Sequence, residues 1–150
     1  IEAGVDAVQV FESWAQNVDE DMFRRLVVEP NRRIVEGVRA RVPEAVMIGF
    51  PRGAGTNLVT FAERTGFNTI GIDHMVPLAF AATAFNADVP LQGNLDPLRL
   101  VAGGAQLDRR IDDVVSSFAD RPHVFNLGHG VVPETPIAHV EQMIARVRGR

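Results

Sequence analysis

One histidine of the chain stands in a sequence context that suits a binding site. His129 is flanked by Gly128 and Gly130 at the end of an apolar stretch. Glycines there let the backbone turn tightly and let a ligand approach closely. An imidazole can hydrogen-bond to a carboxylate or carry a proton near neutral pH. Spacing alone leaves two roles equally open, a ligand-binding histidine and a histidine that caps its own loop.

Two other polar side chains could bind carboxylates. Ser13 offers a hydroxyl, although an N-cap or turn serine is the commoner fate of such a residue. It lies in no Gly-x-Ser-x-Gly elbow, so no hydrolase is indicated. Arg52, in Pro-Arg-Gly-Ala-Gly, could pair bidentately with a carboxylate or be a solvated loop arginine. We expect Asp73 and Asp96 to be structural, with Asp96 capping the turn that follows it.

The remaining histidines differ in their expected roles. His74 follows a predicted strand and is either part of a pocket wall or an exposed loop residue. His123 begins a predicted strand, and His139 lies in the last predicted helix. We expect both of these to be structural.

The composition excludes several classes of site. The chain has 15 Lys+Arg against 19 Asp+Glu and no basic tract, which argues against a nucleic-acid or anionic-membrane surface. It has no cysteine, so disulfides, Cys-ligated zinc, iron–sulfur clusters and thiol nucleophiles are absent. That fits a reducing compartment, and we expect a cytoplasmic protein. The longest apolar stretch, Met75–Phe85, is too short to span a bilayer.

The elements that must position these residues alternate along the chain. Apolar runs predict five strands separated by helices, which is typical of βαβ crossovers and a parallel sheet. The predicted strands are Asp6–Glu12, Ala45–Phe50, Asn68–Asp73, Val89–Asn94 and His123–Gly128. The predicted helices are Asp19–Arg41, kinked or split at Pro30, then Asn57–Arg64 with Thr56 as N-cap and Gly66 as terminator, Pro77–Phe85, Asp108–Phe118 and Pro136–Arg146. An open doubly wound sheet and part of a (β/α)₈ barrel both fit, and no phosphate-binding glycine motif follows any strand.

Polar residues and glycines gather at the carboxyl ends of the predicted strands. In both architectures the chemistry sits at those ends. The segments are Phe11-Glu12-Ser13-Trp14, Phe50-Pro51-Arg52-Gly53-Ala54-Gly55, Gly71-Ile72-Asp73-His74, Gln92-Gly93-Asn94-Leu95-Asp96-Pro97 and Asn126-Leu127-Gly128-His129-Gly130. The opposite ends are plain turns, so the sequence predicts a site on one side of the sheet.

At these strand ends the chain closely resembles the uroporphyrinogen decarboxylase family. Four motifs carry the resemblance, in the order of the chain. They are Phe11-Glu12-Ser13, Gly71-Ile72-Asp73, Gln92–Pro97, and Asn126–Gly130 followed by Pro133-Glu134-Thr135-Pro136. The family often has Trp where this chain has His74, which is a departure in the pocket wall. The resemblance covers the whole chain but only the C-terminal part of the family's length.

The resemblance implies a fold and an activity. It implies that residues 1–150 are the last five βα units of a (β/α)₈ TIM barrel whose N-terminal part is missing, with the helices outside. Residues 1–3, followed by Gly4, also read as the end of a helix that begins earlier. The implied reaction is decarboxylation of the four acetate side chains of uroporphyrinogen III to coproporphyrinogen III in haem biosynthesis. It implies no metal or organic cofactor.

The resemblance also implies roles for two residues of this chain. Ser13 and His129 match substrate-binding positions of the family. The family's central aspartate would precede Ile1, so no catalytic residue is assigned here, and we expect the fragment alone to be inactive. The expected partner is the tetrapyrrole substrate, with neither nucleic acid nor membrane. Open sheet edges of the isolated chain favour its association with itself or with the missing part of the barrel. We also expect a homodimer.

Two alternative functions stay open. One is a corrinoid- and zinc-linked methyltransferase of the same superfamily, which the absence of cysteine disfavours. The other is a non-catalytic module that binds a tetrapyrrole or takes part in assembly.

Overall fold

The computed structural model describes residues 1–149 and divides the chain into two compact units, Ile1–Ile72 and Asp73–Arg150. All five predicted strands are present, each shorter than predicted. They are β1 (Val8–Glu12), β2 (Met47–Pro51), β3 (Thr69–Gly71), β4 (Leu91–Gln92) and β5 (His123–Val124). The α-helices are α1 (Glu20–Phe23), α2 (Glu29–Arg41), α3 (Leu58–Thr65), α4 (Leu78–Ala84), α5 (Pro97–Ala102), α6 (Gly104–Ser117) and α7 (Ile137–Arg148). No helix within the described range is long and apolar enough to cross a membrane.

The first unit contains three parallel strands in chain order. Phe11 of β1 pairs with Phe50 of β2, and Gly49 of β2 pairs with Ile70 of β3. Because side chains alternate along a strand, Gly49 lies on the opposite face from Phe50. A Cβ at Gly49 would lie 2.7 Å from the ring of Phe61 in α3. The glycine therefore lets this helix approach the sheet closely.

Pro30 lies in the first long helical segment of the chain. A π-helical turn, Arg24–Val28, joins α1 to α2, and Pro30 falls in the first turn of α2. The Glu29 N–H donates to the Arg24 carbonyl, five residues back. This wider turn gives the proline ring space, and the Asn31 side chain donates to the Val27 carbonyl at 2.8 Å. The stretch predicted to kink or split at Pro30 is thus two α-helices joined by a π-helical turn that precedes the proline, and the kink stays a prediction.

The helix boundaries agree only in part with the prediction. Gly66 ends α3 in the left-handed conformation (φ +79°), as predicted. Asp96 caps α5, because its side chain accepts from Leu98 N–H at 2.9 Å. Thr56 is not the N-cap of α3; it lies inside a 3₁₀ turn, Gly55–Asn57. Helix α5 itself was not predicted.

The second unit packs helices against a short parallel ladder. β4 and β5 pair through Leu91–His123 and Gln92–Val124, and an isolated bridge joins Leu95 to Leu127. The buried centre consists of apolar side chains from β4's C-terminal loop, α5 and α6. They are Leu95, Leu100, Leu107 and Ile111, with Val140, Met143 and Val147 of α7 partly buried against them. This core fixes the loops that follow both strands.

Arg121 ties the end of α4 to the chain that follows it. Its guanidinium donates to four carbonyls, those of Ala81 (3.2 Å), Ala82 (3.4 Å), Asn86 (2.6 Å) and Val89 (3.0 Å). Burial lowers the pKa of this arginine from its ordinary value. The planar guanidinium thus satisfies carbonyl groups at the C-terminal end of α4, which has no glycine as its C-cap.

Candidate functional site

In the first unit, Ser13 lies in the exposed turn directly after β1. The neighbouring Glu12 Oε1 accepts from the Trp14 N–H at 3.1 Å, which fixes the turn. The Arg52 N–H donates to the Glu12 carbonyl at 2.9 Å, so the chain directly after β2 stays alongside the end of β1. Among residues 1–149 the Ser13 hydroxyl is not used as a cap. Its exposure leaves it open to a ligand.

An exposed aromatic pair lies beside this turn and was not identified from the sequence. Phe11 is 66% exposed, and its ring meets that of Phe50 edge to face at a centroid separation of 5.9 Å. A Cβ at Gly71 would lie 2.7 Å from Phe50, so this glycine leaves room for the ring. The carboxyl ends of β1 and β2 therefore present an apolar surface next to the Ser13 hydroxyl. The alternation of β1 could have revealed it, since Phe11 faces away from the helix layer.

In the second unit, Asp73 and Asn94 form a buried support. Asp73 is 2% exposed and accepts from the Met75 N–H at 2.9 Å. Asn94 is fully buried, and its amide donates to the carbonyls of Asp73 (2.9 Å) and Val76 (2.8 Å). Both donors of the amide are thus used to hold the loop from Asp73 to Val76. These two hydrogen bonds account for an asparagine after β4, and no contact with a ligand is needed to explain it.

His129 is exposed in the loop after β5, with one ring nitrogen held by the backbone. The Gly130 N–H donates to His129 Nδ1 at 2.7 Å. Because Nδ1 must then accept, the neutral ring carries its proton on Nε2. His129 therefore presents an Nε2–H donor, which is the group that a carboxylate requires. The flanking glycine that sequence reasoning singled out supplies this bond.

His74 lies against the His129 loop. Its Nδ1 is 3.5 Å from the Gly128 carbonyl oxygen, and the two imidazole rings meet at 83° with centroids 6.3 Å apart. A Cβ at Gly128 would overlap His74 N and lie 2.6 Å from His74 Cα. Gly128 is therefore required by close backbone approach. The sequence left His74 open between pocket wall and loop, and the structure places it beside His129.

The other two histidines are structural, as predicted. His123 Nε2 is 2.6 Å from the Gly93 carbonyl oxygen, and its ring packs on Phe118 with centroids 4.5 Å apart. Burial lowers the pKa of His123 from its ordinary value of 6.5. His139 Nδ1 is 2.6 Å from the Leu100 carbonyl oxygen.

The structure brings some of the candidate residues together. His129 and His74 meet in the second unit, whereas Ser13 and Arg52 belong to the first. The single site predicted at the carboxyl ends of the strands, with Ser13 and His129 both in it, stays a prediction. No group of three or more His, Cys, Asp or Glu side chains with the arrangement of a metal site occurs in the described part of the chain.

Comparison with known proteins gives the same family from sequence. The family model for uroporphyrinogen decarboxylase matches residues 1–150. The chain is 53% identical over 149 residues to a protein of Sphingopyxis alaskensis named uroporphyrinogen decarboxylase, covering 99% of this chain and 44% of that protein. A protein of the same name from Brucella anthropi is 49% identical, again over 99% of this chain and 43% of its own length. The chain thus spans less than half the length of these relatives.

The structural comparison bears on the fold. A methyltransferase from Methanosarcina mazei superposes with a TM-score of 0.81 over 99% of this chain and 43% of its own, at 18% identity. At that identity the likeness shows the fold alone. The predicted fold class, five βα units of a (β/α)₈ barrel, is confirmed. With the family model matched from the first residue to the last, the chain belongs to the uroporphyrinogen decarboxylase family.

Proposed function

We propose that the full-length protein containing this chain removes the four acetate carboxyl groups of uroporphyrinogen III, giving coproporphyrinogen III. The observation that carries the proposal is the family match over residues 1–150, at about half identity to relatives named for this activity. The exposed Nε2–H donor of His129 at a strand's carboxyl end supports it.

The reaction needs no cofactor, because the substrate's own pyrrole ring accepts the electrons. Protonation of a pyrrole ring makes it an electron sink, so the bond between the acetate methylene and its carboxyl carbon can break. Carbon dioxide leaves, the bonding electrons enter the ring, and a proton then converts the methylene into a methyl group. A fixed carboxylate would stabilise the cationic pyrrole, and a positioned acid would supply protons.

The residues of this chain have binding roles in that scheme. His129 donates from Nε2 to a substrate carboxylate, and Ser13 donates its hydroxyl to another carboxylate oxygen. The Phe11–Phe50 surface beside Ser13 suits the apolar part of a tetrapyrrole. The carboxylate that stabilises the charged pyrrole would lie in the part of the protein that precedes residue 1.

A second candidate is a non-catalytic module that binds a tetrapyrrole or takes part in assembly. The methyltransferase alternative rests on a shared fold at 18% identity, which carries no functional argument.

We also propose that the protein is cytoplasmic and forms a homodimer. The absence of cysteine suits a reducing compartment. Large apolar side chains exposed on the first unit, such as Leu26 (52%) and Ile34 (44%), suit association with a second copy. Light scattering of the full-length protein would measure its oligomeric state.

The activity test is direct. Full-length protein is incubated anaerobically with uroporphyrinogen III, and the products are oxidised and separated by carboxylate number. We expect coproporphyrinogen, formed equally well in the presence of a chelator. Residues 1–150 alone should give none. Binding of the substrate without turnover by folded full-length protein would contradict the proposal and favour the module.

A further inference from the structure

The second unit holds two neighbouring imidazoles, of which the proposed function uses one. His74 and His129 come from loops that follow β3 and β5, and their ring centroids are 6.3 Å apart. Each ring uses its Nδ1 toward the main chain: His129 accepts from Gly130 N–H, and His74 faces the Gly128 carbonyl. Within residues 1–149 neither Nε2 has a hydrogen-bond partner.

The two rings are opposite in hydrogen-bonding character. The neutral His129 ring donates from Nε2, because its Nδ1 accepts. A carbonyl oxygen can only accept, so the neutral tautomer of His74 that suits its 3.5 Å contact with Gly128 carries the proton on Nδ1 and a lone pair at Nε2. One donor and one acceptor, held on neighbouring rings, match a carboxyl group in its protonated form, whose carbonyl oxygen accepts and whose hydroxyl donates.

The spacing suits such a group. The ring centroids are 6.3 Å apart, and one carboxyl group with a hydrogen bond of about 2.9 Å at each oxygen is long enough to bridge two rings at that separation. The loops that bear the rings are rigidly held, since buried Asn94 fixes the Asp73 and Val76 carbonyls and Gly128 touches the His74 backbone. A site held in this way loses little entropy on binding.

We propose that His74 is a second carboxyl-binding residue, which holds one carboxyl group of the ligand together with His129. The identity of that ligand as a uroporphyrinogen side chain rests on the proposed function. The competing explanation is that His74 only ties down the Gly128 carbonyl.

Three substitutions at one position separate these explanations. His74→Asn places an amide donor where Nδ1 is, so it keeps the contact with Gly128 and loses the group at Nε2. His74→Gln places its amide where Nε2 is, so it keeps the ligand contact and loses the Gly128 contact. His74→Phe keeps a ring against His129 and loses both nitrogens.

We measure KM, kcat and the pattern of partly decarboxylated intermediates in the full-length enzyme. His74→Phe and His74→Asn should raise KM about tenfold and change which intermediates accumulate, while His74→Gln should stay within about threefold of wild type. A tenfold change corresponds to about 1.4 kcal/mol. His139→Phe is the matched control, because it also removes a contact with a carbonyl; it should lower the melting temperature and leave KM unchanged.

The outcomes are distinct. If His74→Asn behaves as wild type and His74→Gln does not, His74 is a tie to Gly128 and the proposal is wrong. The proposal is equally wrong if all three variants keep the wild-type KM. If the wild-type enzyme itself forms no product, it is the proposed function that fails. The dissociation constants of the same three variants for uroporphyrin I are then compared by fluorescence titration, because its carboxyl groups probe the site directly.

Discussion

Gly128→Ala tests how closely the chain approaches itself at the His129 loop. The added Cβ would overlap His74 N and lie 2.6 Å from His74 Cα and 2.7 Å from the Asp73 carbonyl carbon. All three neighbours are main-chain atoms, which cannot rotate away as a side chain can. The Asp73 carbonyl is in addition held by the buried Asn94 amide at 2.9 Å. The strain must therefore be relieved by moving a loop.

The size of the effect follows from that crowding. Inserting a methyl group into a well-packed site costs about 1–3 kcal/mol. Since the obstacle here is fixed backbone, we expect the upper end, about 3 kcal/mol of unfolding free energy. A loss of 1 kcal/mol lowers the melting temperature by about 2–4 °C in a domain of moderate size. The expected drop is therefore about 6–12 °C.

Gly130→Ala provides the matched control two residues away. A Cβ there has no atom within 4 Å, and Gly130 does not require a left-handed backbone. Thermal unfolding of the two full-length variants should show a clear loss for Gly128→Ala and a change within about 1 kcal/mol for Gly130→Ala. Equal melting temperatures would refute the argument that Gly128 is required by close approach.

Two further predictions concern the histidines. His129→Ala should weaken substrate use by about ten- to a hundredfold, since a hydrogen bond to a charged group contributes about 1.5–3 kcal/mol, and Ser13→Ala should do less; wild-type kinetics of coproporphyrinogen formation in His129→Ala would remove it from the site. Burial lowers the pKa of His123 below its ordinary value of 6.5, so the unfolded chain takes up a proton at this imidazole at a higher pH than the folded chain does. The free energy of unfolding therefore falls as the pH drops through 6.5 toward the folded-state pKa. The melting temperature of His123→Phe, relative to that of wild type, should therefore rise as the pH is lowered from about 7.5 to about 5.5. A difference between the two proteins that does not change with pH would contradict this assignment.

Short sequence patterns predicted the parts of the fold that depend on interactions between neighbouring residues. The strands follow apolar runs, Gly66 ends a helix because it alone tolerates that backbone conformation, and Asp96 caps the helix that begins at Pro97. Helix α5 was missed because six residues give too short a periodic pattern. The π-helical turn that joins the two helices before Pro30 was not predicted, because such a turn cannot be read from propensities.

The candidate site was predictable in its location but not in its geometry. His129 stood out through its two glycines, and Gly130 N–H does set its tautomer. The contact of His74 with Gly128 joins residues 54 positions apart, which no local pattern reports. The same holds for Asn94, whose amide holds a loop about twenty residues earlier in the chain.

The π-helical turn before Pro30 has an evolutionary consequence. A π turn contains an additional residue relative to the α-helical turn that it replaces. A deletion within Arg24–Val28 would restore the ordinary register and move the proline into a helix interior, at a cost of about 3 kcal/mol. Replacing Pro30 while the extra residue remains carries no such cost. A lineage can therefore lose the proline first and the inserted residue second, whereas the reverse order passes through a destabilised intermediate.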